Sequence, residues 1–116
     1  MANQIEALEA KYRKYAEAST EAIRQGDAKT ANRNFDKLKA VVPKLKAFGP
    51  QSEVVLRRLM KDPSDAVATS AAFDCLPFAE TEALKVLDTI GGKGGIVAFN
   101  AKMIAKEWRS GELKKP

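Results

Sequence analysis

Hydrophobic positions recur with the period of an α-helix along most of this chain. In residues 3–25, apolar or small side chains return every three or four positions, and residues 28–48 repeat the pattern after a short break. That spacing places side chains on one face of a helix, so two long amphipathic helices are predicted. The first face comprises Ile5, Leu8, Tyr12, Tyr15, Ser19 and Ala22, and the second comprises Ala28, Ala31, Phe35, Leu38, Val42 and Leu45.

A two-residue break joins these helices. Gly26 suits the left-handed position that ends a helix, and Asp27 can cap the helix that follows. Long helices connected by so short a turn pack side by side, so residues 1–48 are predicted to form an antiparallel hairpin. Pro43 lies inside the second helix and predicts a kink there, or a break near Val42.

Turn residues divide the remainder of the chain into four shorter predicted helices. Gly49-Pro50 has the order of glycine, then proline, that is typical of a helix end. Asp62 is the predicted cap of a helix that opens at Pro63, and Gly91 to Gly95 form a connector. No run shows the strict alternation of a half-buried strand, so the fold class is all-α with about six helices. The four shorter helices cover residues 51–60, 63–76, 78–90 and 96–109.

Length and composition are those of one globular domain. The chain has 116 residues, of which 45% are hydrophobic and 30% charged, and it contains one cysteine. We therefore expect a single domain over residues 1–116, without an internal disulfide. The first residues lack the regions of a signal peptide, and no run has the roughly 20 apolar residues that span a bilayer. A cytoplasmic location without membrane association is the expectation.

The segment from Leu59 to Leu76 resembles a HEAT-type repeat unit. A helix end, an Asp-Pro turn and a helix with an early valine and paired alanines follow one another as in such repeats. Ala68 departs from the pattern, because these repeats usually have an arginine there. The resemblance implies a right-handed stack of HEAT-like helices over residues 50–113. It is carried by Leu59, Asp62, Pro63, Val67, Ala71, Ala72 and Leu76.

Taken end to end, the chain resembles a bacterial family of small helical proteins with HEAT/armadillo-like repeats, known only as a domain of unknown function. The matching features are residues 31–38, the Asp62-Pro63 turn and the tail over residues 99–113. HEAT-like proteins are mostly scaffolds and partner-binding modules; some resemble toxin-neutralising immunity proteins, and a few bind DNA. The resemblance therefore implies an adaptor or immunity-type interaction protein.

Positive charge is concentrated in the first half of the chain and on one helix face. Residues 1–50 carry ten Lys/Arg against six Asp/Glu, whereas residues 51–116 carry ten against nine. Four cations of the second predicted helix fall within about 80° of one another, opposite its predicted apolar face. Asp36 is the one acidic residue between Ala28 and Phe48.

Such a face can bind an acidic protein or neutralise phosphates. No aromatic residue is interleaved with the cations for base stacking, which favours an acidic protein partner and leaves nucleic acid as the alternative. Asn32, beside Arg33, is a polar residue that can hydrogen-bond to a partner. The candidate binding residues are Lys29, Asn32, Arg33, Lys37 and Lys44.

The residue types used in common catalytic sites are scarce. The sequence has no histidine, the commonest general base and metal ligand, and one cysteine cannot build a thiolate zinc site. We therefore expect no enzyme activity, no metal and no cofactor. A carboxylate-only enzyme, such as a HEAT-type base-excision glycosylase, is an alternative that this argument leaves open. Self-association through an exposed helix face is another.

Overall fold

The computed structural model describes residues 2–114 and the side chains of residues 4–113. Within that part of the chain there are six α-helices, a final 3-10 turn over Glu112–Lys114, and no β-strand. The predicted all-α class with six helices is confirmed. In chain order, α1 to α6 are Ala2–Arg24, Ala28–Lys46, Pro50–Leu59, Asp65–Cys75, Glu80–Gly91 and Ile96–Arg109.

The first two helices form the predicted antiparallel hairpin. Gly26 adopts a left-handed φ of 75°, and the Asp27 carboxylate accepts a hydrogen bond from the Thr30 N–H at 3.1 Å. Farther along, the Ser19 hydroxyl donates to the Ala31 carbonyl at 3.0 Å. The hairpin therefore has the turn chemistry that its sequence indicated.

The buried face of α2 differs from the prediction. Phe35 was expected inside, but 48% of its surface is exposed, and Ala28 is exposed as well. Because α2 packs on α1 and, more lightly, on α3, only one narrow strip of the helix is covered. The covered residues are Ala31, Leu38, Val41 and Leu45, with Asn34 and Val42 partly buried beside them.

Pro43 lies inside α2, as predicted, and the alternative of a break near Val42 does not occur, because the helix continues to Lys46. Two predicted helix starts are wrong. α5 begins at Glu80, not at residue 78, because the chain first turns with the Ala79 N–H bonded to the Cys75 carbonyl at 2.7 Å.

The start of α4 is the other corrected boundary. Ser64, not Asp62, caps this helix, and its hydroxyl accepts from the Val67 N–H at 3.4 Å. Asp62 instead accepts from the Ser64 N–H at 3.0 Å and from Arg13 of α1 at 2.6 Å. Because the carboxylate is used in the turn, α4 begins at Asp65 and not at residue 63.

Helix α4 lies at the centre of the fold and packs against α1, α3, α5 and α6. Tyr12 of α1 is fully buried against it, and its hydroxyl donates to Asp74 at 2.5 Å and to Ser70 at 3.1 Å. Alanines on α4 allow its neighbours to approach closely. The apolar residues that carry the HEAT resemblance are all buried, namely Leu59, Val67, Ala71, Ala72 and Leu76.

The last helix is held by its tryptophan. Trp108 packs against the core, and its indole N–H donates to Glu80 of α5 at 2.5 Å. Phe99 of the same helix is 66% exposed. Among residues 2–114, no helix combines the length and the apolar character needed to cross a membrane.

Candidate functional site

Helix α2 lies at the edge of the molecule, where α1 covers one side and solvent surrounds most of the rest. All five candidate binding residues are exposed on it: Lys29, Asn32, Arg33, Lys37 and Lys44. Helical geometry places the four cations on one flank, which we term the basic face, and separates Asn32 from them. The site is therefore one helix surface that is open along its length.

The net charge of the whole protein equals that of α2. This helix carries six Lys/Arg and one Asp, whereas the rest of the chain carries fourteen basic and fourteen acidic residues. The formal charge of +5 thus belongs to one exposed helix on an otherwise neutral body. Two of the six cations, Lys39 and Lys46, were not among the predicted site residues.

No residue of α2 takes part in the ion pairs that the described side chains form. The cations of those pairs are arginines of α1, α3 and α6, and Lys93. The acid that immediately precedes the helix is Asp27, whose pKa is lowered mainly by hydrogen bonds from Thr30 and to a smaller extent by Arg33. None of the cations of α2 is therefore held in an ion pair by a described side chain.

Aromatic rings flank α2 on two sides. The Lys37 ammonium lies 5.8 Å from the ring centroid of Tyr15 on α1, and the Lys39 ammonium lies 5.1 Å from that of Phe35. Cations over ring faces at such distances are weakly attracted. The exposure of Phe35 was not predicted from the sequence, because its spacing from Ala31 and Leu38 matches that of a buried position.

Phe35 belongs to a second surface of α2. Its residues follow one another at intervals of four and three, and we term them the Phe35 flank. They lie about 140° around the helix from the basic face. The positive charge of Lys46 in this flank reaches Asp74 of α4, where it opposes the rise in pKa that burial causes. The flank comprises Ala28, Asn32, Phe35, Lys39, Val42 and Lys46.

Other parts of the described surface have fewer unpaired charged groups that could bind a ligand. A polar hollow of about 590 Å³ between α1 and the start of α4 is lined by Glu17, Glu21 and Asp65. Two of these carboxylates are already paired, Glu21 with Arg24 at 3.5 Å and Asp65 with Lys93 at 3.0 Å. Among the described side chains, no group of three or more acidic or cysteine residues is arranged to hold a metal ion.

The cysteine is not placed for nucleophilic chemistry. Cys75 is fully buried in the core, and burial raises the pKa of its thiol to about 12. A thiol with so high a pKa is almost entirely protonated at neutral pH, and only the thiolate is reactive.

Comparison with known proteins identifies the same fold elsewhere. The chain is similar to the protein RPA1889 from Rhodopseudomonas palustris CGA009, whose crystal structure superposes with a TM-score of 0.85. The two are 25% identical, and the match covers 97% of this chain and 93% of that one. No protein-family model matches the sequence, and no curated protein does so either. The similarity extends over nearly the entire chain and is one of architecture.

Proposed function

We propose that this chain is a non-enzymatic interaction module that presents α2 to an acidic surface of a protein partner. The observation that carries the proposal is the location of the whole net charge on one exposed helix that forms no ion pair within the described chain. On this proposal, the later helices are a HEAT-like support, and the protein acts in the cytoplasm as an adaptor or as an immunity-type protein that neutralises a toxin.

The arrangement of charge supports a docking role. Cations already engaged with carboxylates gain little from a new anion, whereas unpaired cations keep their full attraction. With 19 residues, α2 extends over about 28 Å, long enough to meet a partner along five turns. A field of one sign also raises the association rate with an oppositely charged protein.

The residue types on the basic face favour protein over nucleic acid. Three of its four cations are lysines and only Arg33 has the planar fork that binds phosphates or guanine in a bidentate manner. No residue of the face is aromatic, and the Tyr15 ring of α1 that lies beside Lys37 is partly buried against the core, so the face has no fully exposed ring on which a base could stack. A protein surface with dispersed carboxylates requires neither feature.

The test compares two triple charge reversals that change the net charge equally. Lys29→Glu, Arg33→Glu and Lys37→Glu alter the basic face, whereas reversal of Lys61, Lys85 and Lys106, also exposed, alters the rest of the molecule. Binding of fluorescent poly-L-glutamate is measured by anisotropy at 50 mM salt. We expect the first variant to lose about tenfold or more in affinity and the second to lose much less, because local charge dominates screened attraction.

Three results would overturn the proposal. The first is a native protein that does not bind poly-L-glutamate, and the second is an equal loss in both variants. The third is stronger binding of random-sequence duplex DNA with a steep salt dependence, which would assign the basic face to nucleic acid. Thermal unfolding serves as the folding control, since each reversal at an exposed position should change stability by about 0.5 kcal/mol or less.

A further inference from the structure

Helix α2 carries two parallel stripes of side chains with heptad-like spacing. The inner stripe, Ala31, Asn34, Leu38, Val41 and Leu45, packs towards α1. The Phe35 flank has the same alternation of four and three residues but is displaced by about 100° around the helix. Residues at these intervals share one face of an α-helix, so each stripe is a continuous surface along α2. In the part of the chain that the structure describes, only the inner stripe is covered by another helix.

The Phe35 flank has the composition of a binding surface. Its aromatic ring is 48% exposed at the middle of the stripe, with the Lys39 ammonium beside it. Small or short side chains, Ala28 and Asn32, precede it, and Val42 is partly exposed one turn beyond Lys39. A central aromatic anchor within a charged, solvated rim is the usual anatomy of an interface hot spot.

The charge of α2 determines what can cover this flank. A second copy of the same helix would bring another net charge of +5 against the first, and like charges at close range are unfavourable. An acidic segment would instead place carboxylates beside Lys39 and Lys46. The flank is a long stripe with an exposed aromatic ring near its middle, a surface along which the apolar face of an amphipathic helix can lie.

Building on the proposed function, we infer that the partner contributes an amphipathic acidic helix that packs along the Phe35 flank, with Phe35 as its apolar anchor. The flank extends from Ala28 to Lys46, about 27 Å, so the partner helix has about five turns. Its apolar stripe contacts Phe35 and Val42, and its acidic margin contacts Lys39 and Lys46.

The basic face then acts at a distance. A helix with its side chains is about 10–12 Å across, and charges interact over about 8–10 Å in 0.10–0.15 M salt. The cations of the basic face therefore attract the incoming acidic helix before contact and raise the association rate. Phe35 is buried only in the complex, so its loss accelerates dissociation.

The experiment uses two synthetic peptides of equal composition. The ordered 21-residue peptide has alanine and leucine at alternating core positions of three heptads, glutamate beside them and glutamine outside. The scrambled peptide keeps the charge but loses the stripe. We expect the native protein to bind the ordered peptide about tenfold more tightly. Phe35→Ala should remove most of that difference through faster dissociation, and Phe35→Leu should restore much of it.

The matched control is Phe99→Ala, which removes an exposed phenylalanine from α6 and should leave both affinities unchanged. Equal binding of the two peptides, or an ordered-peptide advantage that survives Phe35→Ala in a folded protein, would refute the anchor while leaving acidic docking intact. If the protein binds neither peptide and does not bind poly-L-glutamate, the proposed function itself is refuted. The two failures are therefore distinguishable.

Discussion

At the scale of single residues, the most connected polar group is Glu9. Its side chain is 9% exposed, and its carboxylate accepts two hydrogen bonds from Arg58 of α3 at 2.8 and 3.0 Å. Arg13 approaches the same carboxylate at 3.3 Å and also binds Asp62 at 2.6 Å. Four charged side chains thus join α1 to α3 and to the turn before α4. The Arg58 guanidinium is the largest cause of the lowered pKa of Glu9.

Removal of Arg58 should therefore destabilise the protein. Arg58→Ala leaves a buried carboxylate with one long contact, and charged hydrogen bonds contribute about 1.5–3 kcal/mol. Urea unfolding at pH 7 measures the loss. The matched control is Arg57→Ala, because Arg57 is about as exposed as Arg58 but lies 3.8 Å from an exposed carboxylate, that of Glu82; about 1 kcal/mol or less is expected.

The stabilisation that Arg58 provides should depend on pH. Because the folded pKa of Glu9 lies below its ordinary value of 4.5, the stabilisation is present above pH 4.5 and is lost as the pH falls. The difference in unfolding free energy between native protein and Arg58→Ala should therefore shrink between pH 5 and pH 3. A difference that stays constant over this interval would contradict the assignment.

At the scale of elements, the hairpin depends on the turn between α1 and α2. Gly26 has a φ of 75°, and a Cβ built there meets no atom within 4 Å. Any cost of a side chain is therefore a cost of backbone conformation and not of packing. Gly92, which follows α5, has an ordinary φ of −80°, so the two glycines separate these effects.

Alanine substitutions should then act in opposite directions. Gly26→Ala is expected to lower the unfolding free energy by about 1–2 kcal/mol, the cost of a left-handed L-residue. Gly92→Ala is expected to raise it by about 0.4–1 kcal/mol, because alanine restricts the unfolded chain at a compatible position. Chemical denaturation measures both. Equal effects of the two substitutions would show that φ does not govern the turn.

At the scale of the whole molecule, a compact neutral body carries one charged helix. The radius of gyration is 13.6 Å, close to the roughly 13.4 Å expected for a folded chain of this length. One apolar cluster extends from Tyr12 of α1 to Ala105 of α6 and includes Cys75. The thiol therefore reports on the opening of the core that all the helices share.

Labelling of Cys75 should follow unfolding. With a pKa near 12, about one native molecule in ten thousand carries the thiolate at pH 8, and the group is fully buried as well. A chromogenic disulfide reagent should react slowly with the native protein and rapidly in urea. The control is Ala47→Cys in a Cys75→Ala background, since position 47 is exposed and should react at once. Rapid labelling of the native protein would contradict the closed core.

The number and type of helices could be predicted because their signals are local. Apolar spacing, Gly26-Asp27 and Gly49-Pro50 act through the backbone of neighbouring residues, so they need no tertiary contact. The exact start of α4 could not be predicted. Asp62 and Ser64 are both good caps, and the choice depended on Arg13, which is distant in sequence and takes one carboxylate oxygen of Asp62.

Only part of the candidate site on α2 could be predicted from the sequence. The positive charge of α2 can be counted from its sequence, whereas the exposure of Phe35 cannot be predicted from it. Ala31, Leu38 and Leu45 are shared by two possible apolar faces, one completed by Phe35 and Val42 and the other by Asn34 and Val41. Helical periodicity does not distinguish these two faces, because the residues that complete them are adjacent in sequence.

The number of helices, the hairpin turn and the location of the net charge could be predicted, because they depend on local conformation and on composition. The buried strip of α2 could not, because it depends on contacts between helices. The helices packed on α2 bury Val41 and leave Phe35 48% exposed, while the Asn34 amide donates to the Thr30 carbonyl at 3.0 Å. The periodicity of the sequence predicts an amphipathic helix, but the neighbouring helices determine which of its faces is buried.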